Sequence, residues 1–155
     1  MKSLSCLILI LFVPFLSFAQ STKSANFNTT KGEPFIDGYD VVSYFKSKPL
    51  KGKRHLSYSY NNVLYLFASQ ENLNAFVEGP EEFIPQYGGW CAYAMGDSGD
   101  KVKIDPETYK IVDGKLYLFY NFFFNNTLND WNKNERNLKR AADLNWENLH
   151  KDITN

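Results

Sequence analysis

The sequence predicts a small α+β domain in which antiparallel hairpins pack with short helices and a C-terminal helix. Three observations carry the prediction. Two β-favouring stretches fold back at two-residue turn signals, Asn61-Asn62 and Asp113-Gly114. Helical spacing of apolar residues follows the first stretch and returns near the end of the chain. Strands and helices come in runs, without the regular alternation that builds a parallel sheet. Of the 155 residues 44% are hydrophobic, enough for one packed core, and 17 Lys+Arg balance 17 Asp+Glu. That composition excludes a charge-driven disordered chain. It also disfavours a nucleic-acid partner, because a phosphate-tracking surface needs a basic excess.

The chain opens with Lys2, an apolar run from Leu7 to Phe18 interrupted by Pro14, and small residues at Ser17 and Ala19. This pattern is that of a secretory signal covering residues 1–19 and cut after Ala19. The run is shorter than the ~20 residues of a spanning helix, so a retained anchor is the lesser reading. Cys6 stands too early for a lipid-attachment cysteine. The expected product is periplasmic or secreted, with no membrane span left after cleavage. Residues 20–31 are polar and read as a flexible leader, residues 32–150 as the domain, and residues 151–155 as a tail.

Within the domain, His55 to Tyr60 alternates, Asn61-Asn62 turns, and Val63 to Phe67 returns as an apolar strand. Ser69 then caps a helix with Glu71 in its first turn; Leu73, Phe76 and Val77 share its inner face, and Gly79-Pro80 end it. Pro80 opens a further turn that carries Phe83 and Ile84 inward, closed by Pro85. Asp40 and Asp105-Pro106-Glu107 are read as capped turns. The second hairpin pairs Tyr109–Val112 with Lys115–Tyr120. From Thr127 the spacing is helical, with Asp130 as cap partner, Leu138, Ala142 and Leu149 on one face, and a break at Asn132 and Asn134.

Two cysteines are present, and signal cleavage would leave Cys91 alone, so no internal disulfide could form. The segment Pro85-Gln86-Tyr87-Gly88-Gly89-Trp90-Cys91-Ala92-Tyr93-Ala94-Met95-Gly96 joins that thiol to two glycines and a cluster of aromatics. If residues 90–95 form a helical turn, Cys91 lies where free amides favour a thiolate, and Met95 follows at i,i+4 on the same face. Thiolate and thioether are soft donors suited to Cu(I). The competing reading is a small buried hydrophobe, the usual fate of a free cysteine. Tyr87, Trp90 and Tyr93 are candidate walls of a pocket around it.

Gly38-Tyr39-Asp40-Val41-Val42-Ser43-Tyr44-Phe45, Tyr65-Leu66-Phe67-Ala68-Ser69, Glu71-Asn72, Phe76, Pro80, Phe83, PQYGGWCAYAM and VDGKLYLFYN together resemble the exported bacterial YHS-domain proteins over residues 32–150. The resemblance implies a small α+β module related to domains of copper-transporting ATPases and multicomponent hydroxylases, with a metal-binding role. In close relatives the position matching Cys91 can be selenocysteine, which implies that its reactivity is used. The chain departs from the family pattern in two places, and the first of them excludes a multi-cysteine zinc site. Ala68-Ser69-Gln70-Glu71-Asn72 stands where metal-associated members resemble Cys-Ser-x-x-Cys, and the Tyr-His-Ser tripeptide is missing.

His55 and His150 have no clustered partner and read as solvated. The Asn28-Thr29-Thr30 and Asn125-Asn126-Thr127 sequons are read as coincidental. Phe122, Phe123 and Phe124 exceed what one strand face can bury. They are expected to seat the C-terminal helix, with a protein partner surface as the alternative. Three functions stand at this point: soft-metal binding, copper for example, through Cys91 and Met95; a redox enzyme with Cys91 as nucleophile; or a structural or small-ligand domain with a packed cysteine. No Ser/His/Asp group, carboxylate pair or phosphate loop adds a fourth.

Overall fold

The computed structural model describes residues 26–30, 32–46 and 48–151, with side chains described as far as Leu149. The expected signal, Cys6, most of the leader, the His150 side chain and residues 152–155 lie outside the described residues.

The architecture is the expected α+β domain of antiparallel hairpins, short helices and a C-terminal helix. Strands β1 (Lys53–Tyr60) and β2 (Val63–Phe67) form the first hairpin, and β3 (Asp105–Val112) and β4 (Lys115–Phe119) the second. Both turns have the mirror-type backbone that matches strand twist. Asn61 and Asn62 sit at φ 50° and 62°, and Asp113 and Gly114 at 51° and 71°. Each hairpin also carries a register shift, between Lys53 and Ser57 in β1 and between Asp105 and Tyr109 in β3. The second shift explains Asp105-Pro106-Glu107, which is the irregular start of a strand rather than a separate turn. Asp105 still caps locally, accepting from the Glu107 amide at 3.0 Å and the Thr108 hydroxyl at 2.8 Å.

Strand β4 divides the interior in two. Leu116 to Phe119 are all buried, and because alternate side chains leave a strand on opposite faces, Leu116 and Leu118 enter one apolar cluster while Tyr117 and Phe119 enter another. The first cluster lies among the hairpins and the helix after β2, with Phe35, Val41, Val42, Tyr65, Phe67 and Phe76 at its centre. The second lies under the C-terminal helices, around Trp131 and Ala142.

Helices fill the gaps between hairpins. Helix α1 (Ser43–Lys46) is a single turn, held by Asp40, whose carboxylate accepts from the Val42 and Ser43 amides. The other Asp40 oxygen accepts from the Ala68 amide at 2.8 Å and Asn72 Nδ2 at 2.6 Å, so one buried side chain ties α1 to β2 and the next helix. Helix α2 (Gln70–Glu78) begins at Ser69, whose hydroxyl accepts from the Asn72 amide at 3.1 Å. Its inner face is Asn72, Leu73 and Phe76; Val77, expected there, is exposed. Helix α3 (Pro80–Phe83) is one turn with Pro80 at its start, and α4 (Ala92–Asp97) follows the Gly88-Gly89 bend.

The C-terminal part breaks at Asn134, whereas Asn132, the other expected breaker, lies inside a helix. Helix α5 (Thr127–Lys133) ends at Asn134 and α6 (Glu135–Lys151) begins beyond it, packing Leu138, Ala142, Trp146 and Leu149 on the second cluster. The cap of α5 is Asn126, which accepts from the Leu128 amide, and Asp130 pairs instead with Lys133 at 2.7 Å. Between β4 and α5 lies a third, two-residue ladder of β5 (Asn121–Phe122) and β6 (Asn125–Asn126).

The leader boundary moves. Asn26 is buried, its carbonyl accepts from the Trp90 indole at 2.7 Å, and its side-chain oxygen accepts from Lys101 at 3.0 Å. The Asn28 amide donates to the Gly88 carbonyl at 2.8 Å, and Phe27 meets the Phe35 ring edge-on. Residues 26–30 therefore belong to the domain, which begins before Gly32. This contact explains the glycine pair: at φ +59°, a Cβ on Gly88 would stand 2.7 Å from the Asn26 carbonyl oxygen, and one on Gly89 would stand 2.8 Å from the Phe35 ring.

Candidate functional site

Cys91 is fully buried and is the residue that precedes α4, with φ −58° and ψ 118°. Its own backbone is outside the helical range, so helical spacing does not carry its side chain onto the face of α4. Cys91 packs in the first cluster, between hairpin residues, whereas Met95, also fully buried, packs in the second with Tyr117, Phe119 and Trp131. The expected i,i+4 alignment survives only in the backbone, where the Met95 amide donates to the Cys91 carbonyl at 3.0 Å. The two sulfurs serve opposite sides of the wall made by β4.

The expected bath of helix-start amides is also absent: the thiol makes no capping hydrogen bond to α4. Its sulfur accepts from the Tyr120 amide at 3.4 Å and lies 3.4 Å from Thr127 Oγ1, whose hydroxyl donates to the Tyr120 carbonyl at 2.9 Å. These contacts seat Cys91 against the end of β4 and the start of α5. Among the described residues no group of three His, Cys, Asp or Glu side chains is placed to hold a metal ion. His55 is exposed on β1. As placed, Cys91 and Met95 pack in different apolar clusters, so a shared soft-donor site would need the two side chains to be brought together.

The three aromatics expected to wall a pocket separate likewise. Tyr87 is buried in the second cluster and donates to Asp143 at 2.9 Å; burial, then that carboxylate, hold its phenol well above the ordinary value. Tyr93 is half-buried and packs against both clusters. Trp90, by contrast, faces a cleft. Its ring lines an opening of about 750 Å³, within the usual range for small-molecule sites. Ile36, Tyr120 and Phe122 supply further apolar wall, and Arg54, Lys103, Glu33 and Asp37 supply charge. Among the described residues none of these four charged side chains is in an ion pair, so each remains available to a ligand.

Three of the eight non-glycine residues at positive φ among the described residues line this cleft. Ile36 is a β-branched residue at φ 49° and ψ 49°, almost fully buried, where left-handed geometry is a true outlier. Asp37 beside it is at φ 51°, and Phe123, also on the cleft, at φ 50°. Such conformations cost about 1–3 kcal/mol each and collect at ligand sites. The cleft also touches the cysteine: Trp90 precedes Cys91, and the Tyr120 amide bonded to sulfur belongs to a lining residue.

Comparison with protein-family models, curated proteins and solved structures finds no match. The geometry therefore stands by itself. Most of the cleft was not visible in the chain: no motif or spacing marks Arg54, Lys103 and Ile36 as neighbours, and the fold alone brings them together. Asn28, Thr29 and Thr30, set aside as part of a leader and a coincidental sequon, are lining residues. Among the described residues no helix is long and apolar enough to cross a membrane.

Proposed function

We propose that this chain is an exported YHS-like module that binds a small organic ligand, with Cys91 packed beneath the site rather than acting in it. The single observation that carries the reading is the cleft between the 28–37 segment and the β4 end, where Trp90, Tyr120 and strained Ile36 meet unpaired charges of both signs. Aromatic faces with a few convergent polar groups suit an amphipathic molecule with a flat apolar body and an ionised group. Arg54 and Lys103 favour a carboxylate or phosphate on that body, and Glu33 and Asp37 favour a second, cationic end.

Two alternatives remain. Soft-metal capture would require Met95 or another donor to cross from its own cluster to the Cys91 sulfur. Thiol redox chemistry would require a route for an oxidant to a side chain with no exposure, and a resolving thiol from another molecule.

The test is titration of isotope-labelled protein with indole-3-acetate and benzoate, followed by amide chemical shifts. Perturbations should cluster at Thr30, Ile36, Lys103 and Tyr120, and Arg54→Gln with Lys103→Gln should weaken binding several-fold. Shifts scattered over the surface, or a Cu(I) titration that saturates at one equivalent and is abolished by Cys91→Ser, would overturn the proposal in favour of a nonspecific or a metal-binding reading.

A further inference from the structure

The three consecutive phenylalanines were expected to seat the C-terminal helix, and they do not. Phe122 is 43% exposed, and Phe123 and Phe124 are 93% and 110% exposed. The latter two form the turn of the β5–β6 hairpin at φ 50° and 66°, the geometry that Asn61-Asn62 adopts in the first hairpin. Left-handed backbone is costly for bulky residues, and full exposure of two rings is costly in water. Asn-Gly would remove both costs. The stalk beneath is well tied. Asn121 donates to Thr108 at 2.9 Å, the Thr127 amide donates to the Tyr120 carbonyl at 3.0 Å, and the Tyr120 and Phe122 rings meet edge-on. A firmly held stalk thus carries an apolar apex that no described part of the fold buries.

We propose that the Phe123-Phe124 apex is a docking tip that enters the interfacial layer of an anionic lipid bilayer. This goes beyond ligand binding, and it shares Phe122, Phe123, Arg54 and Lys103 with the cleft. The apex is convex, so it offers no groove to a peptide or helix. Two phenylalanine side chains present roughly 400 Å², about half of the ~800 Å² per partner in a standard protein interface, which is too little for a stable dimer on its own. A bilayer needs no matching shape, only apolar area to bury and, for added strength, cations near the surface.

Phe122 and Phe123 share the cleft with Arg54 and Lys103, which can meet lipid phosphates. Glu33 and Asp37 on the same cleft offset part of that attraction, so the rings carry the binding and the charges tune it. The route of the chain agrees. Asn28, Thr29 and Thr30 line this cleft too, so the N-terminal segment arrives on the side of the tip. The apolar run ending at Phe18 is eight residues before Asn26, within about 28 Å of it along a fully extended chain.

The experiment takes the protein as purified from the exporting cell, its N-terminus fixed by intact mass, and floats it with phosphatidylcholine vesicles with and without phosphatidylglycerol. Phe123→Ser/Phe124→Ser should keep its melting temperature and lose binding about tenfold or more, and anionic lipid should strengthen the wild type. A Phe124→Trp variant gives a second readout: its added emission should shift to the blue and be quenched by brominated lipid, which also reports on the tip if residues 1–19 are retained. An unshifted, unquenched Phe124→Trp emission with vesicles present overturns the proposal. So does concentration-dependent dimerisation that the double serine variant abolishes while vesicle binding is nil, which would assign the tip to a second copy.

Discussion

If Cys91 is a packed residue, truncating it should harm the fold and leave it nothing chemical to lose. Its sulfur has no exposure, fills space in the first cluster, and receives the Tyr120 amide at 3.4 Å. Cys91→Ala deletes one large atom from a close-packed site, for about 1–2 kcal/mol of lost burial and cavity. It also leaves the Tyr120 N–H without its acceptor, for about 1 kcal/mol more. The sum is about 2–3 kcal/mol, to be read as a lower urea midpoint at unchanged slope. Iodoacetamide labelling gives the kinetic counterpart, followed at the peptide that carries Cys91 because Cys6 is a second thiol in the full chain. Alkylation must wait for an opening, so the native thiol should react roughly a thousandfold or more slowly than the unfolded one, given a stability of about 5 kcal/mol or more. Native labelling within about tenfold of the unfolded rate, together with an unshifted midpoint in Cys91→Ala, would refute this reasoning. The thiol would then have a solvent path that the packing denies.

Two further outcomes follow from the fold. Asp40→Asn replaces a buried carboxylate that accepts from four donors by an amide that turns an N–H₂ toward two of them, so it should cost about 3 kcal/mol in chemical denaturation; a loss under about 1 kcal/mol would mean that α1 and α2 are not tied through it. Glu135 is held below its ordinary value of 4.5, first by hydrogen bonding to Lys110 and with help from the Trp131 indole. A depressed carboxyl stabilises the fold fully above its unfolded value and loses that effect as pH falls through the folded one. Wild type should therefore exceed Glu135→Gln by about 0.5–1 kcal/mol at neutral pH, a gap that closes on acidification below 4.5; a pH-independent gap would show that the charge is not its source.

The hairpins and the first long helix were legible because their causes are local. Asn61-Asn62 and Asp113-Gly114 tolerate positive φ, and Ser69 carries its own cap acceptor, so a short window of sequence contains the whole reason for each element. The asparagine break between α5 and α6 is of the same kind. Local reasoning failed where a residue stands at a junction. Cys91 precedes a helix with non-helical ψ, and helical spacing, which rightly relates residues inside α4, gave it the wrong neighbour. Periodicity alone places Val77 on the inner face of α2, but that face is centred on Asn72, which bonds buried Asp40, and on Phe76, and Val77 is exposed.

The amino-acid sequence by itself determined the α+β class, the turns, the capped helices and the lone thiol that signal cleavage would leave, because propensity, turn chemistry and counting need only neighbours in the chain. Tertiary structure alone decided that β4 separates Cys91 from Met95, that Asn26–Thr30 join the domain, and that Trp90 meets Arg54 and Lys103 across a cleft. It also left Phe123 and Phe124 in the open. These are relations between residues tens of positions apart. They are fixed by which face of a strand finds a partner and by which backbones approach closely enough to require glycine, and no local window carries that information.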